Sequence, residues 1–302
     1  MLKRIAVVSH ATIDHICRNS IDTEVVTVGG PVCYSGLMVR HCMHALIPIT
    51  KVGNDFAGMN IREVNYLLYD SKNAVSDKPT TRFRLVIDSS NTRRLFLLER
   101  CEDISYDDIA MSISNGLDAC IVSPVINEIS IDSIRLLACS AEFTILDPQG
   151  LVRRVMDDRS VAITPRVFDI KSLNIDALKV DHSEAYALTS LYGVDALNRL
   201  SEAVNIVILT IDNIMLMNHN GNVYKLTLEM VDNSIDSTGV GDIFTAAYTV
   251  AYIEDRDAVW ALCYAAAASY IALTSNRFGI YKVPYADDVE HHAYILEEKV
   301  ED

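Results

Sequence analysis

Short apolar, β-branched runs recur along the chain, among them "RIAVVS", "LIPITKV", "DACIVS", "FTILD", "VAIT" and "NIVILT", and each is followed by a loop or an amphipathic stretch. Alternation of this kind predicts a parallel sheet with helices packed on its faces. The runs are apolar throughout instead of alternating with polar residues, the pattern of strands covered on both sides. In such a sheet ligands gather beyond the carboxyl ends of the strands.

Two stretches break the rhythm. "EVVTV" at 24–28 is one, and "TTRFRLVIDSSNTRRLFLLER" from Thr80 to Arg100 is the other; the second reads as two strands joined by a polar turn at Asp88-Ser89-Ser90-Asn91. Arg82 and Arg84 alternate with Phe83 and Leu85, so one face of that ribbon is wet and the other dry. The expected organisation is an α/β core over residues 1–10, 29–78 and 105–302, with a small β lid made from two excursions, 11–28 and 79–104. "IMLMNHNGNVYKL" predicts a hairpin turning at Asn220-Gly221. "AVWALCYAAAASYIALT", from Ala258 to Thr274, is uncharged but rich in alanine, and reads as a buried core helix and not a membrane span.

Composition narrows the function classes. With 302 residues and 50% hydrophobic content, the chain can bury a large core. A net charge of −15 argues against a nucleic-acid partner, which would need clustered Lys and Arg. The seven cysteines, at 17, 33, 42, 101, 120, 139 and 263, have no CxxC spacing and read as buried thiols of a reducing compartment. The apolar run in "MLKRIAVVSHATID" is too short for a signal-peptide core, so the expectation is a soluble cytoplasmic protein with no membrane partner.

The candidate chemistry sits in "VDNSIDSTGVGDIFTAAYTVAYI", from Val231 to Ile253. Phe244, Ala247, Tyr248 and Ala251 fall at helical spacing, and the helix they define starts near Gly241. A bare helix N-terminus gathers unpaired N–H groups and partial positive charge, which suits an anion. Gly239 and Gly241 open the backbone to such a ligand. Asp242, in the first turn, has two readings on spacing alone: a dipole-complementing acid or a general base.

"DSTGVGDIF" resembles the C-terminal signature of the ribokinase-like (PfkB) carbohydrate kinases, D-[ST]-T-G-A-G-D-x-F, with Val240 in place of Ala. Further landmarks appear in the same order as in that family: "TVGGPVCYSGLMVRHC" at 27–42, "KVGNDFAG" at 51–58, "LDPQGLVR" at 146–153 and "KVDHSEAYALT" at 179–189. The resemblance implies a three-layer α/β/α sandwich with a mainly parallel central sheet and a β-sheet lid. It also implies an ATP- and Mg²⁺-dependent kinase acting on a hydroxyl of a small sugar or polyol. Asp242 would be the base, and the N–H groups of Gly239, Val240 and Gly241 the anion hole. Family correspondence further implies Asp14, Gly29, Gly30, Tyr34 and Arg153 at the acceptor, Thr210 and Thr238 with Gly239 and Gly241 at the nucleotide, and Glu184 with Asp181 at Mg²⁺.

Three departures bear on substrate choice. Tyr34 stands where many of these kinases carry asparagine, which makes ribose a weaker fit. Asp181 replaces the asparagine of the N-x-x-E pattern, and "TIDNIM" at 210–215 puts Asp212 and Met215 where two glycines are usual. An acid close to polyphosphate is unfavourable unless it turns away or meets a metal. Alternatives are therefore a nucleoside kinase of the same fold and a non-catalytic sugar- or nucleotide-binding regulator. A Rossmann dehydrogenase is disfavoured, because the Gly-Val-Gly lies late in the chain and lacks a third glycine. The apolar row Phe83, Leu85 and Ile87 suggests a homodimer paired through the lid.

Overall fold

The computed structural model describes residues 2–18, 23–71, 74–88, 93–166, 168–231 and 236–301. In chain order its strands are β1 (Arg4–Val8), β2 (Thr12–Arg18), β3 (Thr23–Gly29), β4 (Ala45–Ile49), β5 (Val52–Gly53), β6 (Val75–Ser76), β7 (Thr81–Ile87), β8 (Arg93–Glu99), β9 (Ala119–Val122), β10 (Thr144–Leu146), β11 (Arg153–Val155), β12 (Val161–Ile163), β13 (Ala177–Asp181), β14 (Ile206–Ile211), β15 (Ile214–His219) and β16 (Asn222–Thr227). The helices are α1 (Pro31–His41), α2 (Tyr66–Tyr69), α3 (Tyr106–Ser112), α4 (Ile131–Ala138), α5 (Gln149–Val152), α6 (His182–Thr189), α7 (Gly193–Ser201), α8 (Val240–Asp255), α9 (Ala258–Thr274) and α10 (Ala286–Glu297).

The main sheet has the order β16-β15-β14-β13-β10-β9-β1-β4. Six of its strands are parallel, and β15 and β16 extend it antiparallel. Successive residues of β1 show why these runs are apolar throughout: Ile5 and Val7 join the core beside α1, α8 and α9, while Ala6 and Val8 join the core on the opposite face. The alanines of α9 let it lie close against α8, and α8 is buried from Asp242 to Ala251. On that buried helix Thr245 and Thr249 satisfy their own hydroxyls by donating to Gly241 and Thr245 carbonyls at 2.9 and 2.7 Å. Among the described residues no helix is long and apolar enough to cross a membrane.

A second sheet, ordered β3-β2-β7-β8, is formed by the two excursions. β2 pairs antiparallel with β3 and parallel with β7, which sets Asp14 beside Phe83, and β7 pairs antiparallel with β8. Phe83 leaves this sheet to pack on Val125 and Ile126, the loop after β9.

Several sequence expectations need correcting. "VAIT" does not enter the main sheet; Val161–Ile163 pairs antiparallel with Arg153–Val155 in a separate two-stranded ribbon. With Val155 and Ile163 both exposed, this short piece has no second face to cover, and its apolar run alone could not reveal that. β7 has a strand on both sides, so the row Phe83, Leu85 and Ile87 offers no edge for pairing; Phe83 and Leu85 line a cavity instead. Cys139 is exposed and Cys42 only partly buried, while the other five thiols are buried, and all seven are free. Ser89, Ser90 and Asn91 of the proposed turn lie outside the described residues. The hairpin at Asn220-Gly221 is present, both residues at positive φ (53° and 90°).

Candidate functional site

α8 begins at an unusual turn. Gly239 is its N-cap at φ 75°, and no side chain among the described residues caps the helix, so the first-turn N–H groups have no partner within it. A β-carbon at Gly239 would come 2.4 Å from the Tyr34 ring, so both conformation and space require glycine there. The turn is held from behind by Asp236, whose two carboxylate oxygens accept from Thr238 N–H and Gly279 N–H, each at 2.9 Å. Lys282 Nζ lies 2.9 Å from Asp236 Oδ2 and donates to the Asp236 carbonyl at 2.8 Å, both side chains fully enclosed. Burial pushes the Asp236 pKa up, but the ammonium and the N–H donors outweigh it and hold the carboxyl below its usual range.

Two cavities meet at this helix end. The first, of about 670 Å³, is lined by Asp14, Gly30, Tyr34, Arg153, Asp181, Thr238, Gly239 and Asp242 together with residues of β8 and β12. The second, of about 350 Å³, is lined by Val240, Gly241, Thr210 and Lys179 at one end and by Met215, Leu228, Tyr270 and Leu273 elsewhere. The α8 N-terminus thus borders both, with Gly239 and Asp242 on one side and Val240 and Gly241 on the other. Of the site residues expected from sequence, Gly29 and Glu184 line neither cavity. Gly29 makes room for Asp14: a β-carbon there would overlap Asp14 Oδ2 at 2.0 Å. Gly30, at φ 83°, starts α1 beneath the first cavity.

Buried acids dominate the first cavity. Burial, and secondarily the charge of Asp147, pushes the Asp242 pKa up to about 7, against the pull of Lys179 and Arg153. Gln149 Nε2 lies 3.5 Å from Asp242 Oδ1, at the outer limit of a hydrogen bond, and Ser35 Oγ donates to the Asp242 carbonyl at 2.8 Å. Burial likewise pushes Asp14 up to about 6. Asp14 Oδ1 and the Tyr34 hydroxyl are buried and have no hydrogen-bond partner among the described residues. Such orphaned groups carry a desolvation penalty that a hydroxylated ligand would relieve.

Sequence reasoning assigned no role to Lys179 or Asp147, yet they stand at the centre. Lys179 Nζ is 3.0 Å from Asp147 Oδ2, and it would be 3.1 Å from a β-carbon placed on Gly241. Burial alone would lower the Lys179 pKa, but Asp147, Glu184 and Asp181 raise it above the ordinary range, so the ammonium stays charged. The available signal was a lysine inside the apolar strand "ALKVD", where an unpaired charge is not tolerated.

Asp181 and Glu184 form a capping box on α6: Asp181 Oδ1 accepts from Ser183 and Glu184 N–H, and Glu184 Oε2 accepts from Asp181 N–H, all at 2.8 Å. Burial, then Asp147, pushes Glu184 up to about 8, with Lys179 opposing. Among the described residues no group of three or more His, Cys, Asp or Glu forms a metal cage. One or two carboxylates beside a phosphate site still suit Mg²⁺, which keeps several waters and takes oxygens from substrate phosphates. Asp181, which lines the first cavity, fits that donor set, and the excess acid around Glu184 would be eased by a cation. Thr210 donates weakly to the Val180 carbonyl at 3.4 Å. Asp212 takes the left-handed turn position between β14 and β15 (φ 51°) that a glycine would otherwise fill, and it lines the second cavity, as does Met215.

No protein-family profile matches the chain, and no curated protein does. Solved structures do. A pyrophosphate-dependent kinase in the ribokinase family, complexed with a pyrophosphate analogue and myo-inositol, is 20% identical with a TM-score of 0.76, over 95% of this chain and 99% of that one. Arabidopsis thaliana ribokinase, complexed with ribose and ATP, is 19% identical with a TM-score of 0.74, over 97% and 99%. A nucleoside kinase of Methanocaldococcus jannaschii is 16% identical with a TM-score of 0.68, over 97% and 99%. Among these neighbours one architecture thus carries three acceptor classes, so the fold by itself names no substrate.

Proposed function

On a chain with the ribokinase-like fold, an α/β/α sandwich with a small β-sheet beside it, we propose an ATP-dependent kinase that phosphorylates a hydroxyl of a small sugar or polyol. The observation that carries this reading is the uncapped α8 N-terminus, which borders both cavities and bears Asp242 in its first turn. The acceptor would occupy the first cavity, its hydroxyls meeting Asp14 Oδ1 and the Tyr34 hydroxyl, with Arg153 alongside. The donor phosphates would enter from the second, past Thr210 and Lys179.

Asp242 accepts the proton of the acceptor hydroxyl as that oxygen forms its bond to the γ-phosphorus. The bond from the γ-phosphorus to the bridging oxygen breaks, and ADP leaves. N–H groups of Gly239, Val240 and Gly241 and the Lys179 ammonium stabilise the charge gathering on the transferred group. A Mg²⁺ held by Asp181, with Glu184 supporting, would neutralise phosphate charge when bound. The sheet β3-β2-β7-β8 would act as a lid that excludes water from the transfer.

The test incubates the protein with Mg²⁺, either ATP or pyrophosphate, and a panel of sugars, inositols and nucleosides. Phosphorylation of at least one acceptor is expected, reduced by a factor of about 10²–10⁴ in Asp242→Asn. Equal rates in the two proteins for every acceptor would refute the assignment of Asp242, and binding without turnover by either would favour a regulator.

A further inference from the structure

Beside its acids the first cavity contains a set of cations, of which only Arg153 acts on those acids, drawing the Asp14 and Asp242 pKa values down. Arg153, Arg94 and Arg93 all line the cavity. Arg153 opens β11 and donates through Nη1 to the Val125 carbonyl at 3.0 Å, which fixes the guanidinium at the cavity wall. Arg94, from β8, lies with its guanidinium 5.4 Å from the Phe96 ring centre, a contact that orders the side chain without neutralising it. Neither Arg94 nor Arg153 pairs with a carboxylate among the described residues. Asp158, which senses the charge of Arg94, accepts instead from the Ser160 N–H and hydroxyl. Arg93 donates to the Ser237 hydroxyl, tying β8 to the turn before Gly239.

This cationic wall runs against the charge of the chain as a whole, which is −15. It also belongs to one cavity alone: among the described residues the second is lined by no arginine, and the one cation lining it, Lys179, is already paired with Asp147. If the arginines served the donor phosphates, they would line the second cavity or both. Guanidinium donors in a fixed fork select phosphate or carboxylate oxygens over neutral hydroxyls.

Resting on the kinase reading above, we infer that the acceptor is itself anionic: a small sugar or polyol that carries a phosphate or carboxylate group, held by Arg153 and Arg94, besides the hydroxyl presented to Asp242.

The experiment is calorimetry without donor, using Asp242→Asn so that nothing turns over. The probes are glucose, ribose and myo-inositol, their monophosphates, and the sugar acids gluconate and ribonate. Inorganic phosphate is the control for an anion that merely finds the α8 N-terminus. At least one anionic member should bind roughly tenfold or more tightly than its parent, beyond what phosphate alone achieves, and the preference should weaken as salt is raised. In Arg153→Met and Arg94→Met the ratio of the two affinities should fall toward one. Parity between every anionic probe and its parent overturns the inference with no variant needed, as does a preference that survives in the double variant. Turnover separates the two claims. If the wild type phosphorylates an uncharged parent faster than its anionic derivative, the kinase reading stands and this inference falls. Arginine-dependent anion binding with no phosphorylation of any probe leaves the anion site standing and sinks the kinase reading.

Discussion

Asp242 sits where the fold would prefer a neutral group. Its pKa rises from 3.8 in the unfolded chain to about 7 in the folded protein, chiefly through burial. A carboxyl raised in this way contributes stability while it is protonated, in full below the unfolded value, and that contribution is lost as pH rises through about 7. Asp242→Asn, which keeps the shape and never ionises, should therefore raise the melting temperature by several degrees at pH 8. The gain should fall to about half or less of that at pH 5 and vanish only below the unfolded value of 3.8. Thermal melts of both proteins across that range check it; an equal or lower melting temperature for the variant at pH 8 would mean that the carboxylate is not strained. Lys282 shows the opposite case. Lys282→Met would leave Asp236 buried without its cation, and breaking such a pair costs about 3–5 kcal/mol. Urea unfolding should report a loss of that order, and a loss well under 1 kcal/mol would show that Asp236 finds other compensation.

At the scale of elements, the α8 start is the part that the proposed activity and the backbone conformation both involve. Gly239→Ala must place a β-carbon in a left-handed residue, costing about 1–2 kcal/mol, and must also displace the Tyr34 ring from 2.4 Å. The expected outcome is a fall in phosphate-donor affinity of tenfold or more with the chain still folded, read by donor titration beside circular dichroism; unchanged affinity would remove this turn from the donor site. Elements of this kind were legible in sequence where local chemistry fixes them. Gly239 and Gly241 beside a 3.6-residue pattern gave α8, Asn220-Gly221 gave the β15–β16 hairpin, and uninterrupted apolar runs gave the doubly covered strands. The β11–β12 ribbon was not legible, because each strand is three residues long and its pairing depends on where the chain turns back in space.

At the scale of the molecule, the site is an assembly of Asp14, Arg153, Lys179 and Asp242, brought together from β2, β11, β13 and α8. Ordered motifs made most of these residues visible in sequence, but the division of the space into two cavities was not. That division depends on which neighbours each motif meets, and Lys179 against Gly241 is a contact between residues far apart in the chain. The same separation explains the uneven fate of the acids. Asp181 lines the first cavity while capping α6, and Glu184, three residues on, lies behind it in the core of the cap.

The most direct test of the central claim, that Asp242 at the junction of the two cavities is the general base of a phosphoryl transfer, is the pH profile of kcat/KM for the best acceptor found. A base works in its ionised form, so kcat/KM should climb with pH and level off above about 7, the value to which burial pushes Asp242. Asp242→Asn should lose both the rate and the inflection. A profile flat from pH 5 to 8, or a variant that keeps the wild-type rate and inflection, would contradict it.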